Sequence, residues 1–217
     1  MIKIEKTDVF GWESAIRGMR NPMNSWDKSD SVMSAAAIVE GWEWIGPNDL
    51  SLMKKLVNAG SDHSKFMRMI NVTCDIIAPL YWWKEYDTYK VGTVANSCST
   101  MHKIHDKVFT LNDFSYDYLT PESLDELKHT VSVLNYWRDV YINGSSLLAP
   151  KSKTAWQQLI QLLPSSYNQK RTVQLNYAVL RNMYHSRKNH KLDEWHTFCA
   201  WVEKLPYAGD LIIGKES

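Results

Sequence analysis

Neither sign of charge dominates the 217 residues: 25 Lys and Arg stand against 24 Asp and Glu. That balance excludes a global basic field for nucleic acid and leaves no acidic tail, so an anionic ligand has to be met locally. Cysteine is scarce and odd in number. Cys74, Cys98 and Cys199 lack CxxC spacing, which argues against a disulfide framework or a zinc site and fits a reducing cytoplasm. Long apolar runs are missing as well: "MIKIEKTDVFGW" lacks the long apolar run expected of a signal peptide, and no stretch approaches a membrane span. The expectation is a soluble, cytoplasmic protein with no membrane or nucleic-acid partner and no metal. A glycine-rich phosphate loop, HExxH and GxSxG are all absent, which removes the common motif-defined enzyme classes. No internal repeat, low-complexity tract or composition break marks a linker, so residues 1–217 read as one domain.

The patterns that are present predict a mixed α and β chain with a mostly helical second half. "MIKIEK" alternates apolar and charged residues, as a half-buried edge strand does, and leads into a helix over 12–19. The polar, breaker-rich stretch 20–31 reads as a loop. In "GPNDLSLMKKLVNAG", Asn48 is placed to cap a helix whose Leu50, Met53, Leu56 and Val57 share a face, with Gly60 as its stop. "MRMINVTCDIIAP" reads as a strand ending near Pro79. Thr120 with Pro121 opens a helix to about Ile142, and further helices are predicted over 153–163, 172–186 and 192–204.

Residue chemistry nominates a few sites, each with an ordinary structural alternative. His63 follows a helix stop and precedes a strand, where its ring can face a cleft or simply be a hydrogen-bonded structural histidine. "TVANSCST" offers hydroxyls and an amide for a phosphate or a base edge, or is a solvated turn. "LRNMYHSRKNH" gathers Arg181, His185, Arg187, Lys188 and His190, a phosphate-holding cluster or a solvated face. The ten tryptophans suit a large buried contact or an oligomer surface.

In order, "MIKIEK", "DLSLMKKLVNAG", "SDHSKF", "CDIIAPLYWWKEYDTYKVGTVANSCSTMH" and "LLPSSYNQKRTVQLNYAVLRNMYHSRKNHKLDEW" resemble the layout of the flavin-dependent thymidylate synthases. The resemblance covers nearly the whole chain. It implies an α/β (α+β) fold with a central, mostly antiparallel sheet and flanking helices. It also implies a homotetramer, FAD as cofactor, and methylation of deoxyuridine monophosphate with a folate one-carbon donor.

Counted from Ala78-Pro79, Glu85 falls on the family's signature glutamine and Thr88-Tyr89-Lys90 on its Arg-His-Arg. Thr93 falls on the first serine. Asn96 falls on a later motif position, and a one-residue shift places Ser99 on the second serine. Of the three basic signature residues only Lys90 remains, and an arginine replaced by threonine removes a bidentate phosphate donor. The resemblance assigns His63, Tyr89, Lys90, Asn176 and His190 to the cofactor. It assigns Glu85, Thr93, Asn96, Ser99, Gln174 and Arg187 to the substrate, with Arg187 also catalytic. The segment 82–87 is expected as a helix or helix end under the site, and 88–99 as a ligand-holding loop at a subunit contact. Two alternatives stand beside the enzyme: a divergent pyrimidine-nucleotide-binding relative without the activity, and an oligomeric structural or interaction protein on the same fold.

Overall fold

The computed structural model describes residues 2–32 and 45–214; Met1, at the start of the predicted first strand, lies outside them. Its strands are β1 (Lys3–Phe10), β2 (Asn71–Pro79), β3 (Val94–Ser97) and β4 (Asn168–Asn176). They form one antiparallel sheet in the order β1-β2-β4-β3, with β1 at an edge as its alternating sequence predicts. The helices are α1 (Trp12–Arg20), α2 (Pro47–Asn58), α3 (Leu80–Tyr86), α4 (Pro121–Asn143), α5 (Lys153–Leu162), α6 (Tyr177–Arg187) and α7 (Asp193–Val202). Among the described residues no helix is long and apolar enough to cross a membrane.

The chain divides into two compact units, each assembled from separated stretches. One is built from Met1–Lys3, Ile76–Thr88 and Asn96–Arg171, the other from Ile4–Asp75, Tyr89–Ala95 and Thr172–Ser217.

The first unit is organised by the aromatic helix α3. Trp82, Trp83 and Tyr86 are buried against one another with ring centroids 4.9 to 5.3 Å apart. The Trp83 indole donates to the Gln169 carbonyl at 3.0 Å, and the Arg171 guanidinium lies 4.2 Å from the Trp83 ring centroid. A second apolar cluster joins Phe109, Phe114, Leu127, Val131, Leu134 and Leu159. Its helical members keep the spacing that predicts α4, and Thr120 caps that helix by accepting from Ser123 N.

The second unit is held at one end by a buried ion pair. Arg20, 4% exposed, donates from Nε to Asp49, 0% exposed, at 2.6 Å. The other Asp49 oxygen accepts from Ser29 Oγ and Ser31 Oγ at 2.7 Å and from Asp30 N and Ser31 N at 3.1 Å. The remaining Arg20 nitrogens donate to the Ser25 and Lys28 carbonyls. Stretch 20–31, expected as a loop, is thus two short 3-10 turns wound around this pair.

Three local expectations are corrected. Asn48 does not cap α2: Pro47 is its first residue, and the Asp30 carboxylate accepts from Asn48 N and Asp49 N instead. Residues 172–176 are strand, not helix, since Val173 and Leu175 are buried while Thr172 and Gln174 face out, a period of two. The tail of the expected 88–99 loop is the short edge strand β3, whose four residues are all exposed.

Burial raises the Asp49 carboxyl pKa, but hydrogen bonds from Ser31, Ser29 and Arg20 and the arginine charge outweigh it, so the pKa lies below the ordinary 3.8. A depressed folded-state value contributes stability that is complete above 3.8 and is lost as pH falls through the folded value. We expect Asp49→Asn to cost about 3–5 kcal/mol near neutral pH by stranding Arg20. In denaturant titrations the gap between parent and variant should stay constant above the ordinary carboxylate pKa and narrow below it. A pH-independent gap would contradict this account.

Candidate functional site

Strand β4 runs directly into α6, and the junction residue Asn176 fixes both the helix and a neighbouring loop. Its Oδ1 accepts from Val179 N at 3.0 Å, which caps α6, while its Nδ2 approaches the Gly92 carbonyl at 3.5 Å. Gly92 has φ +76°, and a Cβ there would lie 2.8 Å from Asn176 Nδ2, so both backbone shape and space call for glycine. The loop closes on itself through Thr93 Oγ1, which donates to the Tyr89 carbonyl at 2.6 Å.

At the other end of α6, Arg187 meets the same loop. Its Nε donates to Tyr89 Oη at 2.9 Å. The guanidinium carbon lies 4.9 Å from the Trp195 ring centroid and 5.5 Å from that of Tyr89. The two rings stand edge to face at 6.2 Å, and His190 meets Trp195 in the same manner at 6.3 Å. Trp195 is fully buried, while Tyr89, Arg187 and His190 are half-buried. The result is a cation held in an aromatic setting that limits its rotation.

The outer face of α6 lines a cleft of about 590 Å³ with Ala178, Arg181, Asn182 and His185, which recur at helical spacing. Opposite them stand Val57, Asn58, Gly60, Ser61, Ser64, Met67 and Arg68. Arg181 and His185 are steadied by the chain's last described turn: Arg181 Nη1 donates to the Leu211 and Ile212 carbonyls, and His185 Nε2 lies 3.0 Å from the latter. Burial lowers the Arg181 pKa.

The structure therefore brings Tyr89, Thr93, Asn176, Arg187 and His190 together in one unit. Lys90 lies exposed on the same loop. His63 is exposed in the turn between α2 and Lys65–Arg68, beside cleft residues Ser61 and Ser64 but not lining the cleft itself. Gln174 is exposed on β4 and donates to Asn71 Oδ1 at 3.2 Å. Glu85, Asn96 and Ser99 belong to the other unit. Glu85 is half-buried on α3, Asn96 is exposed on β3, and Ser99 Oγ accepts from Met101 N and His102 N in a local turn. Arg68, Asn182 and Trp195 were not nominated by the sequence. Only Trp195 left a trace, as the tryptophan beyond the basic helix. Two cysteines are inert: burial and the Asp75 charge push the Cys74 thiol up to about 12, and burial with Glu203 pushes Cys199 to about 11.

Comparison with solved structures decides the architecture. A thymidylate synthase X from Helicobacter pylori with FAD and dUMP matches over 98% of this chain and 97% of its own, with a TM-score of 0.67 at 15% identity. The chain has the fold of the flavin-dependent thymidylate synthases. A second structure of that Helicobacter pylori enzyme complexed with FAD and dUMP gives 0.65 at 16% identity, covering 96% of this chain and 98% of the other. The UMP/dUMP methylase PolB from Streptomyces cacaoi, bound with 5-Br dUMP, gives 0.59 at 11% identity, covering 94% and 90%. No protein-family model and no curated protein sequence matches the chain. The thymidylate synthase fold is thus kept here with little of the sequence that accompanies it in these neighbours.

If Asn176 is the joint between β4, α6 and the 89–93 loop, Asn176→Ala should lower stability by about 1 kcal/mol through the lost cap. Asn176→Ser, an uncharged residue that caps about as well, should recover most of that. Thermal unfolding of the two variants and the parent measures both, and equal losses would contradict the capping role.

Proposed function

We propose that the protein binds a pyrimidine nucleotide of the deoxyuridine monophosphate type and acts on it as a flavin-dependent methyltransferase. The observation that carries this reading is Arg187, held by Tyr89 and Trp195 at the end of α6, in a fold whose solved neighbours were crystallised with dUMP or its 5-bromo analogue. A guanidinium fixed in this way can stabilise negative charge developing on a pyrimidine carbonyl while the ring is attacked at carbon 6. No enzyme nucleophile is then required.

The cleft beside α6 supports a flavin in size and character. Its volume of about 590 Å³ lies in the range of small-molecule sites. Apolar Val57, Met67 and Ala178 suit a ring face, and the Asn58 and Asn182 amides suit its polar edge. Arg68 is a cation on the rim for a phosphate. A bound, reduced flavin would supply the hydride. The chain's own contribution is to bind and orient: Arg187 toward the pyrimidine, and Asn182, Arg68 and the turn bearing His63 toward the cofactor. We extend the reading to methylene-tetrahydrofolate as one-carbon donor and to a homotetramer on the strength of the sequence resemblance.

A second reading, a nucleotide-binding relative without flavin chemistry, is favoured by Thr88. Where the resembling signature carries an arginine, the Thr88 hydroxyl donates to the Glu85 carbonyl at 2.7 Å and offers no cationic fork to a phosphate. Absorbance spectra of the purified protein with added FAD, with and without dUMP, separate the readings. Perturbation of the flavin bands on binding supports the enzyme, whereas dUMP binding without flavin selects the relative. In the same titrations Lys90→Ala should weaken FAD binding at low salt and flatten its salt dependence. Arg187→Lys should fold normally yet lose turnover, because lysine keeps the charge and not the planar fork. Parent-like affinity and activity in Arg187→Lys would remove the catalytic assignment.

A further inference from the structure

The resemblance gave Tyr89 to the cofactor, as an aromatic surface for a flavin ring. The geometry gives it a different partner. Tyr89 Oη accepts from Arg187 Nε at 2.9 Å, and the phenol ring stands 5.5 Å from the guanidinium carbon. Trp195, fully buried on α7, holds the same guanidinium at 4.9 Å and meets the Tyr89 ring edge to face. A hydrogen bond at Nε therefore fixes the rotation of this planar cation about the side-chain axis, and two aromatic neighbours fix its tilt.

The loop is shaped to deliver the phenol. Thr93 Oγ1 bonds to the Tyr89 carbonyl at 2.6 Å, and Gly92 packs against Asn176 at the start of α6. The Tyr89 backbone is thereby pinned while its side chain reaches the end of the same helix. An arginine uses its Nε edge and its Nη fork separately. Committing Nε to Tyr89 leaves the orientation of the fork set by the protein before any ligand arrives, and such preorganisation raises affinity by removing an ordering cost.

We propose that Tyr89 is a positioning residue for Arg187, and that it sets the guanidinium plane that meets the carbonyl edge of a pyrimidine nucleotide. This rests on the nucleotide-binding reading above. Tyr89 acts through Arg187 and does not serve as a flavin platform.

Calorimetric titration with dUMP, a fluorescence titration with FAD and a thermal melt are run on the parent, Tyr89→Phe, Arg187→Lys and the double variant. Tyr89→Phe keeps the ring and removes only the acceptor. It should melt close to the parent, leave FAD affinity unchanged, and weaken dUMP about tenfold, as expected for one hydrogen bond to a charged group. In the Arg187→Lys background the same change should have no further effect on dUMP. Independent, multiplying losses, or a loss confined to FAD, would overturn the proposal. A parent that binds no dUMP would sink the nucleotide reading itself. The positioning role is then decided by the Arg187 Nε–H signal in nitrogen-15 NMR: slow exchange in the parent and fast exchange in Tyr89→Phe upholds it, and equal exchange overturns it.

Discussion

One asparagine at the end of a strand governs the geometry of the candidate site. Asn176 closes β4 and opens α6, and its side-chain oxygen takes the Val179 N–H that the first turn leaves unsatisfied. The opposite side of the same amide lies against Gly92, at a position where no side chain fits. Helix and loop are thus joined at the start of α6 by a single residue. Leu175, Asn176 and Tyr177 are all buried, so the junction has little freedom to shift. Tyr177 adds a hydrogen bond from Oη to the Pro206 carbonyl at 2.7 Å and an edge-to-face contact with Trp12 at 5.3 Å.

From that junction α6 acts as a ruler. Leu180, Met183 and Tyr184 point into the unit, while Ala178, Arg181, Asn182 and His185 line the cleft. Arg187 ends the helix against Tyr89 and Trp195. The spacing of cleft and guanidinium follows from helical geometry, and the loop that touches both ends of α6 is held by the Thr93 hydroxyl, the Asn176 amide and the Arg187 guanidinium. This explains how the site keeps its shape with little of the basic signature. On the proposed reading, Thr88 removes a phosphate donor from the loop, and Lys90 and Arg68 are the cations assigned to replace part of that grip.

Much of this fold is legible in the chain because its strongest signals are local. Thr120-Pro121 opens α4 as expected, and the Ala78-Pro79 anchor ends β2 where it should. The signals that failed are those that depend on distant partners. In β4 the Val173 and Leu175 alternation is short, and it runs into the apolar spacing of α6, which drew the helix five residues too far. Strand β3 is exposed at all four residues and so offers no buried apolar face to read. The Arg20–Asp49 pair joins residues 29 apart, and nothing in either neighbourhood marks a buried charge. In the site, Arg187 was legible through the family layout. Its hydrogen bond to a residue 98 positions earlier was not, and neither was the cap that Asn176 provides.

The account stands on a guanidinium oriented before ligand arrives. A crystal structure of the protein soaked with dUMP tests this most directly. The account predicts the pyrimidine carbonyl edge on the Nη fork of Arg187, with the Nε bond to Tyr89 and the Trp195 contact unchanged. A nucleotide bound elsewhere, or an Arg187 that abandons Tyr89 to reach it, would contradict it.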